Sequence, residues 1–552
     1  MTPESCKVKG PLWGGYSRPG KPDAVHDCYY QKASNDPAVP QLWAYTDALS
    51  YAPGRPITLH LCTTAETCDL LIFRDGFKKE VVFEQSGLKG HFHETPEDCS
   101  VKGCNWPAAL QIPVGEDWAS GAYVLELSAT APDGTPLSYD HILVVRPAQK
   151  TDKRGRLLFV LATSTWTAYN DWGGSNHYEG ITGANRDHFS PVLSLQRPYA
   201  RGFVRLPADA PRVPLREAPE MGAPLCYPHL EWPYENGYSK KYASTGWASY
   251  DRAYLHWLEE AGYAVDLLSE TDLHYRPELV EGYSCLTFNG HSEYWSWEMR
   301  DCIDSYVERG GNIARFAGNF LWQIRLEDEG RTQVCYKYIA REEDPQRNSD
   351  QPQLTTTCWD ALETGRPGAQ TFGLSGTRGI YAGWGGCTPR GAGGFTIYRP
   401  EHWIFEGADL YYGDVLGAPS RLFGYEVDGV DHIIRDGLPA PTGSDGAPEN
   451  LEILALGLAT LYEADHGNDR DGTATPYIGS ADAEFAARAV HGAATPELIE
   501  RYKRGSGMIA LFKRGKGTVL TAGTCEWVAG LIDRDPQVER ITGNILDRFL
   551  NG

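Results

Sequence analysis

The sequence predicts an α/β protein: a doubly wound, mostly parallel sheet preceded by an antiparallel β-sandwich. Three observations predict it. From about residue 41 to 147, short apolar runs alternate with turn residues and show no helical spacing. After residue 151 the period changes, and continuously apolar strands alternate with amphipathic stretches. One such strand runs into Asn289-Gly-His-Ser-Glu-Tyr-Trp295, and helical spacing follows at Met299, Ile303, Tyr306 and Val307. A strand–turn–helix corner is where α/β proteins present reactive side chains. This one carries His291 and Glu293, side chains that hold metals and move protons.

In chain order, residues 1–40 are rich in Gly, Pro and Asp and read as an irregular arm. The sandwich, expected over 41–150 and immunoglobulin-like in its regular short strands, includes Ile57-Thr-Leu-His-Leu-Cys62, Leu70-Leu-Ile-Phe-Arg74, Ala122-Tyr-Val-Leu-Glu-Leu127 and His141-Ile-Leu-Val-Val-Arg146. Pro132-Asp-Gly134 supplies turn chemistry. Gln149 to Gly155 is charged and reads as a linker to a domain spanning 151–552. There Leu157-Leu-Phe-Val-Leu-Ala162 is apolar throughout, as a strand covered on both faces must be. Tyr250, Tyr254, Trp257, Leu258 and Ala261 recur at helical intervals, and Gly262 is placed to stop that helix. Val265–Leu268, Tyr283–Phe288 and Asn312–Ala317 give further strands. From about 325 to 400 the spacing gives way to Gly, Arg and Thr, which suggests an insertion. Gly507–Phe512 and Gly517–Gly523 read as closing strands, and Leu531–Leu550 as a terminal helix with Pro536 near its start.

The chain of 552 residues exceeds one ordinary core, so two or more domains are expected. Its 51 basic against 73 acidic residues leave a net charge of −22, which repels nucleic-acid phosphates and anionic membranes. No apolar run approaches the roughly 20 residues that span a bilayer, and the first residues lack a signal pattern, so a cytoplasmic protein is expected. The 13 cysteines include no Cys-x-x-Cys pair and fit neither a disulfide framework nor a zinc knuckle. Cys62 with Cys68 and Cys99 with Cys104 are near in sequence, and free reduced thiols are the simpler reading.

The common motifs of covalent catalysis and nucleotide binding are missing: no Gly-x-Ser-x-Gly, His-Glu-x-x-His, Walker loop or Gly-x-Gly-x-x-Gly occurs. Asn468-Asp-Arg-Asp-Gly472 resembles a calcium loop without its first acidic ligand or bidentate Glu, and a polar turn explains it as well. Cys285 in a strand and Cys302 in a helix read as buried structural thiols.

What remains is a set of segments that parallel strand order brings to one sheet edge: Ser164-Thr-Trp-Thr-Ala-Tyr-Asn-Asp-Trp-Gly-Gly174, Leu195-Gln-Arg-Pro-Tyr199, the His291-Ser-Glu293-Tyr-Trp corner and Phe316-Ala-Gly-Asn319. Together with Gly517-Thr-Val-Leu-Thr-Ala-Gly-Thr-Cys-Glu-Trp527, they make residues 151–552 resemble the large (beta) subunit of N,N-dimethylformamidase. Its main domain is glutamine-amidotransferase-like without the cysteine nucleophile. The resemblance implies a mononuclear ferric centre held by two tyrosinates and a glutamate. Carried over, Tyr169 and Glu293 are ligands and Tyr199 the second phenolate, with Tyr178, Tyr227 and Tyr234 as competitors. His291, Asn319 and Glu426, the last in Phe423-Gly-Tyr-Glu-Val-Asp428, match residues placed beside the metal. The family also pairs with a separate small subunit, so a small subunit and a homo-oligomer are the partners the resemblance leaves open, and the acidic surface does not decide between monomer and oligomer.

The chemistry is coherent. A free phenol, with pKa near 10, is only about 0.1% ionised at neutral pH, so Tyr becomes a ligand only where a strong Lewis acid takes its proton. Two phenolates and one carboxylate cancel the three charges of ferric iron and leave positions open for water and a carbonyl. The expectation is an iron-dependent amidohydrolase acting on a small N-substituted amide, with Trp166, Trp172, Trp295 and Trp322 serving either as apolar walls or, equally, as ordinary core packing. The alternatives are a tyrosinate-iron oxygenase and a non-catalytic ligand-binding module on the same scaffold. Taken singly, each residue has an ordinary explanation: a packed Tyr, a hydrogen-bonded turn His, a Glu favoured at a helix start.

Overall fold

A computed structural model describes residues 29–148, 151–182, 189–214, 228–379, 393–460 and 480–551, with the short strand pairs Val8–Lys9 with Asp27–Cys28 and Asp469–Arg470 with Thr473–Ala474. The protein is a mixed α/β structure with several sheets. The calcium-like segment at 468–472 falls largely outside the described residues, as does most of the N-terminal arm.

The N-terminal strands form two sheets. One orders Ser50–Tyr51, Pro136–Val145, Gly121–Thr130, Thr67–Asp75 and Lys79–Lys89, and the other Leu42–Thr46, Pro56–Thr63 and Ala108–Pro113. All pairs are antiparallel except the edge pair of Ser50–Tyr51 with Pro136–Val145. Pro132–Gly134 turns the chain between Gly121–Thr130 and Pro136–Val145, with Gly134 at φ +86°, where a side chain would be strained. Lys79–Lys89 closes one edge with mostly exposed residues, among them charged Lys79, Glu80, Glu84 and Lys89, which blunts edge-to-edge pairing.

Nine strands build the second large sheet, in the order Ala264–Ser269, Arg156–Leu161, Cys285–His291, Asn312–Gly318, Gly517–Ala522, Arg504–Arg514, Glu452–Thr460, Phe395–Ile397 and Val415–Leu416. The first five pair in parallel; the remainder is antiparallel. The expected mostly parallel sheet therefore describes one half. The other half reverses because Arg504–Arg514 and Gly517–Ala522 form a tight hairpin that returns the chain beside itself. In the parallel half every residue of Cys285–His291 is buried, which explains why apolar Cys285, Leu286 and Phe288 fall on both faces of the strand.

Two further differences bear on the site. Part of the stretch expected to be an irregular insertion carries its own small sheet, ordered Val192–Ser194, Thr332–Val334, Trp322–Glu327 and Tyr294–Ser296. The terminal helix is two, Trp527–Ile532 and Pro536–Asn551, because Pro536 lacks an N–H and suits the first position of a new helix. The N-terminal sheets are tied to the nine-stranded sheet's layer by buried polar contacts. Arg146 pairs with Asp272 at 2.8 Å, and Trp247 Nε1 donates to Asp75 at 2.8 Å.

Candidate active site

The carboxyl ends of the parallel strands line one edge, and the candidate residues hang from it. Helix Thr163–Tyr169 starts directly after strand Arg156–Leu161 and is buried at every residue, so Tyr169 ends it facing inward. The chain then folds back on that helix. Asn176 makes the turn: its Oδ1 accepts the backbone N–H groups of Tyr178 and Glu179 at 2.8 and 2.7 Å, and its Nδ2 donates to the Tyr169 carbonyl at 3.2 Å. Tyr178 is thereby laid against Tyr169, ring centroids 4.5 Å apart.

On the neighbouring strand, Gly290 takes φ +71°, and a Cβ there would stand 2.7 Å from Tyr250 Cβ; only glycine satisfies both demands. His291 and Glu293 follow. The Glu293 N–H donates to Thr165 Oγ1 at 3.0 Å, which fixes the corner to the Tyr169 helix. One strand further, Asn319 adopts a left-handed φ of +60° just beyond Asn312–Gly318. Such conformations in non-glycine residues concentrate at functional sites. The Phe320 N–H donates to Asp428, which in turn pairs with fully buried Arg315 at 2.7 Å, and this anchors the bend. Glu426 is held by its carbonyl, which accepts the Cys525 N–H at 3.0 Å.

The result is a compact oxygen cluster. Tyr178 Oη lies 2.8 Å from Tyr169 Oη and 3.0 and 2.9 Å from the two Glu293 oxygens, and Tyr169 Oη is 3.0 Å from Glu293 Oε2. His291 Nε2 stands 3.2 Å from Glu293 Oε2, 3.6 Å from Glu426 Oε2 and 3.2 Å from Asn319 Nδ2. His291 Nδ1 lies 2.8 Å from the Ser244 carbonyl, which can only accept, so Nδ1 carries the proton and Nε2 faces the cluster. Asn319 Oδ1 is buried without a hydrogen-bond partner among the described residues.

Burial, then the Glu293 charge, pushes both the Tyr169 and Tyr178 phenols far above their ordinary pKa. Burial would also raise Glu293, but the hydrogen bond and charge of His291, then Lys337, hold it below the usual carboxylate range. Burial opposes a charge on His291, yet Glu293 and Glu426 carry its net shift upward. Without a cation the phenols are neutral; a hard, highly charged ion is what would remove their protons. Among the described residues no group of three or more His, Cys, Asp or Glu is placed to hold a metal ion; the oxygens gathered here are two phenols and one carboxylate.

Set against the sequence, the structure brings Tyr169, Glu293, His291, Asn319 and Glu426 together. It does not bring Tyr199 to them. That ring stacks on His141 and Phe203 and meets Trp166 edge-on, while its hydroxyl bonds Thr167. The reason is local: Asn170 Oδ1 accepts the Ala200 N–H at 3.0 Å and its Nδ2 donates to the Pro198 carbonyl at 3.0 Å, so the Tyr199 backbone is pinned on the far side of the helix end. Tyr178 occupies the place expected of Tyr199. Tyr234 packs edge-on with Tyr29, away from the cluster, and Tyr227 lies outside the described residues.

Of the four tryptophans, the core-packing alternative holds for two. Trp172 packs on Trp43 and Trp106, and Trp295 on Phe288, Phe320 and Phe372; both are core. Trp166 donates its N–H to buried Asp251 at 3.2 Å. Sequence reasoning missed three neighbours. Tyr425 meets the His291 ring edge-on at 5.5 Å, Tyr294 Oη donates to Tyr178 Oη at 2.8 Å, and Lys337 Nζ donates to Tyr294 Oη at 2.9 Å. Tyr294 stood inside a quoted motif; Lys337 sat in a stretch with no periodic signal.

No curated protein sequence matches the chain. Among solved structures, murine CRIg shares 15% identity over 20% of this chain and 99% of its own, with a TM-score of 0.15. Spo0M, a sporulation control protein from Bacillus subtilis, shares 13% over 19% of this chain and 48% of its own, with a TM-score of 0.14. Scores that low carry no argument about this fold. The family described as N,N-dimethylformamidase beta subunit-like, C-terminal, in contrast, matches residues 70–539, most of the 552. On that span, the chain belongs to the N,N-dimethylformamidase beta subunit-like family.

Proposed function

We propose that this chain hydrolyses the C–N bond of a small, N-substituted amide at the Tyr169–Tyr178–Glu293 cluster. The observation that carries the reading is the convergence of two phenol oxygens and a carboxylate within 3.0 Å of one another, with an imidazole nitrogen 3.2 Å from that carboxylate. The family's name supplies the reaction class, hydrolysis of a dimethylformamide-like amide, and its description as a beta subunit suggests assembly with a second polypeptide.

The donor set fits a mononuclear ferric ion. Three hard oxygens carry three negative charges once the phenols ionise, and the buried phenols have no other reason to release protons. Bound there, ferric iron would supply Lewis acidity, polarising an amide carbonyl and acidifying water, a contribution usually worth several kcal/mol.

The chain's own residues do the remainder. His291 Nε2, with its lone pair turned inward, accepts a proton from water approaching the cluster. Glu293 and Glu426 stabilise the imidazolium so formed, and Glu426 holds His291 ready to return that proton to the departing amine. Asn319 Nδ2 steadies His291 Nε2, while its unpaired Oδ1 offers an acceptor to water or to a substrate N–H. The Tyr425 ring borders this space and gives an N-alkyl group an apolar surface.

The test is amine release from a panel of formamides, acetamides and anilides by the full chain, with and without Glu293→Gln. Turnover of small formamides that disappears in the variant is expected. Full turnover by an iron-free Glu293→Gln protein, or oxygen consumption in place of hydrolysis, overturns the reading.

A further inference from the structure

Lys337 is buried, and its place is costly. It takes φ +48°, left-handed for a residue with a Cβ, and its N–H is pinned to the Thr356 carbonyl at 2.9 Å. Its ammonium sits over the Tyr178 ring, 3.4 Å from the centroid, with the rings of Trp322 and Tyr338 at 4.9 and 5.0 Å. Its one polar side-chain partner among the described residues is the Tyr294 hydroxyl, at 2.9 Å. Aromatic packing alone would be served by Met or Leu, without desolvating an ammonium.

The geometry fixes a direction. An ammonium only donates, so Tyr294 Oη must accept from it, and the single Tyr294 hydrogen then points to Tyr178 Oη, 2.8 Å away. Tyr178 thus receives a hydrogen bond at its oxygen and a cation over its ring face, both of which draw electron density from the same phenol. Tyr169 Oη is met only by Tyr178 Oη among the described donors, at 2.8 Å, a hydrogen bond that ends once Tyr178 ionises, and no cation lies over its ring among the described contacts; that ring faces Tyr178 and His291.

We propose that Lys337, acting through Tyr294 and across the Tyr178 ring, is a positioning residue that makes the two phenols unequal donors, Tyr178 the weaker and Tyr169 the stronger. The inference rests on the proposed iron-binding role of the cluster. A weaker second phenolate leaves the bound cation more electrophilic toward an amide carbonyl than two equal ones would, while the Tyr294 hydrogen bond keeps the Tyr178 oxygen aimed at Glu293.

The test uses the full chain carrying K337M, Y294F or K337R, with iron content, visible absorption, kcat and KM measured for each. A hydrogen bond or a cation removed from a phenolate raises the energy of its donor electrons. Y294F and K337M should therefore keep wild-type iron content, shift the phenolate absorption to longer wavelength, and lose on the order of tenfold in kcat with little change in KM, the scale of one charge-assisted hydrogen bond. K337R, which restores the cation, should shift least. Melting curves show whether K337M folds; if it does not, Y294F, which removes a single oxygen, decides. An iron-loaded Y294F with wild-type absorption and kcat overturns the relay while leaving the iron site standing. A colourless, iron-free wild-type protein overturns both.

Discussion

Buried phenols cost little while neutral and hydrogen-bonded and become ligands only when a cation arrives, so the cluster's meaning turns on which oxygens share a point. Tyr169 and Glu293 were legible because each sits in a motif after a strand, where parallel topology alone brings them to one edge. The second phenol was not. Tyr178 reaches Tyr169 through a turn that Asn176 closes, and nothing in the spacing distinguishes that turn from the one that carries Tyr199 away. The two can be separated directly. Tyr178→Phe should lose most of the bound iron and at least 100-fold in kcat/KM, a loss of roughly 2.7 kcal/mol or more. Tyr199→Phe should retain both, since its hydroxyl meets only Thr167 among the described contacts. His291→Ala, by removing a proton carrier without removing a proposed ligand, should keep iron but lower kcat by about 10²–10⁴-fold, the usual size of general acid–base catalysis. Iron content and amine release measured side by side check all three.

At the level of elements, the strands that position the site were read from apolar runs, continuous from Leu157 to Leu161 and broken by single polar residues in Cys285–His291 and Asn312–Gly318, because a strand covered on both faces shows little polar side. The short strands Phe395–Ile397 and Val415–Leu416 at the antiparallel edge, and the three-residue strands of the small sheet around Tyr294–Ser296, escaped, since strands of two or three residues carry too little pattern to register. The corner itself is stapled by small features. Ser296 caps helix Trp297–Glu308, its Oγ accepting the Met299 N–H at 3.2 Å, so Ser296→Ala should cost about 1 kcal/mol in chemical denaturation. Gly318 is crowded more severely: a Cβ there would stand 2.6 Å from the Glu426 carbonyl and 2.7 Å from the Cys525 nitrogen, both backbone atoms. Gly318→Ala should therefore destabilise by about 1–3 kcal/mol and displace Glu426 from His291, lowering kcat beyond what the stability loss accounts for.

Across the whole molecule, the two layers of sheet are joined by ionised groups that were invisible to periodicity because each pair spans more than a hundred residues. Asp75, at the end of an N-terminal strand, accepts from Trp247 and Arg252 at 2.8 and 2.9 Å. Burial opposes its charge, but His256, Trp247 and Arg252 outweigh it and lower its pKa to about 2. A carboxylate depressed in the folded state stabilises fully above its unfolded pKa, near 4, and that stabilisation fades as pH falls through the folded value. Melting temperature should thus decline between about pH 4 and pH 2, and Asp75→Asn should flatten that part of the profile, a share of roughly 2 kcal/mol. The described residues contain no helix long and apolar enough to cross a membrane. The central claim is that Tyr169, Tyr178 and Glu293 hold one ferric ion, and a visible absorption spectrum of the purified full chain, taken with its metal content, tests it most directly. The account predicts about one iron per chain and a phenolate-to-iron band that Tyr178→Phe diminishes or abolishes and Tyr199→Phe leaves in place. A colourless protein without iron, or a band that vanishes with Tyr199 and survives the loss of Tyr178, would contradict it.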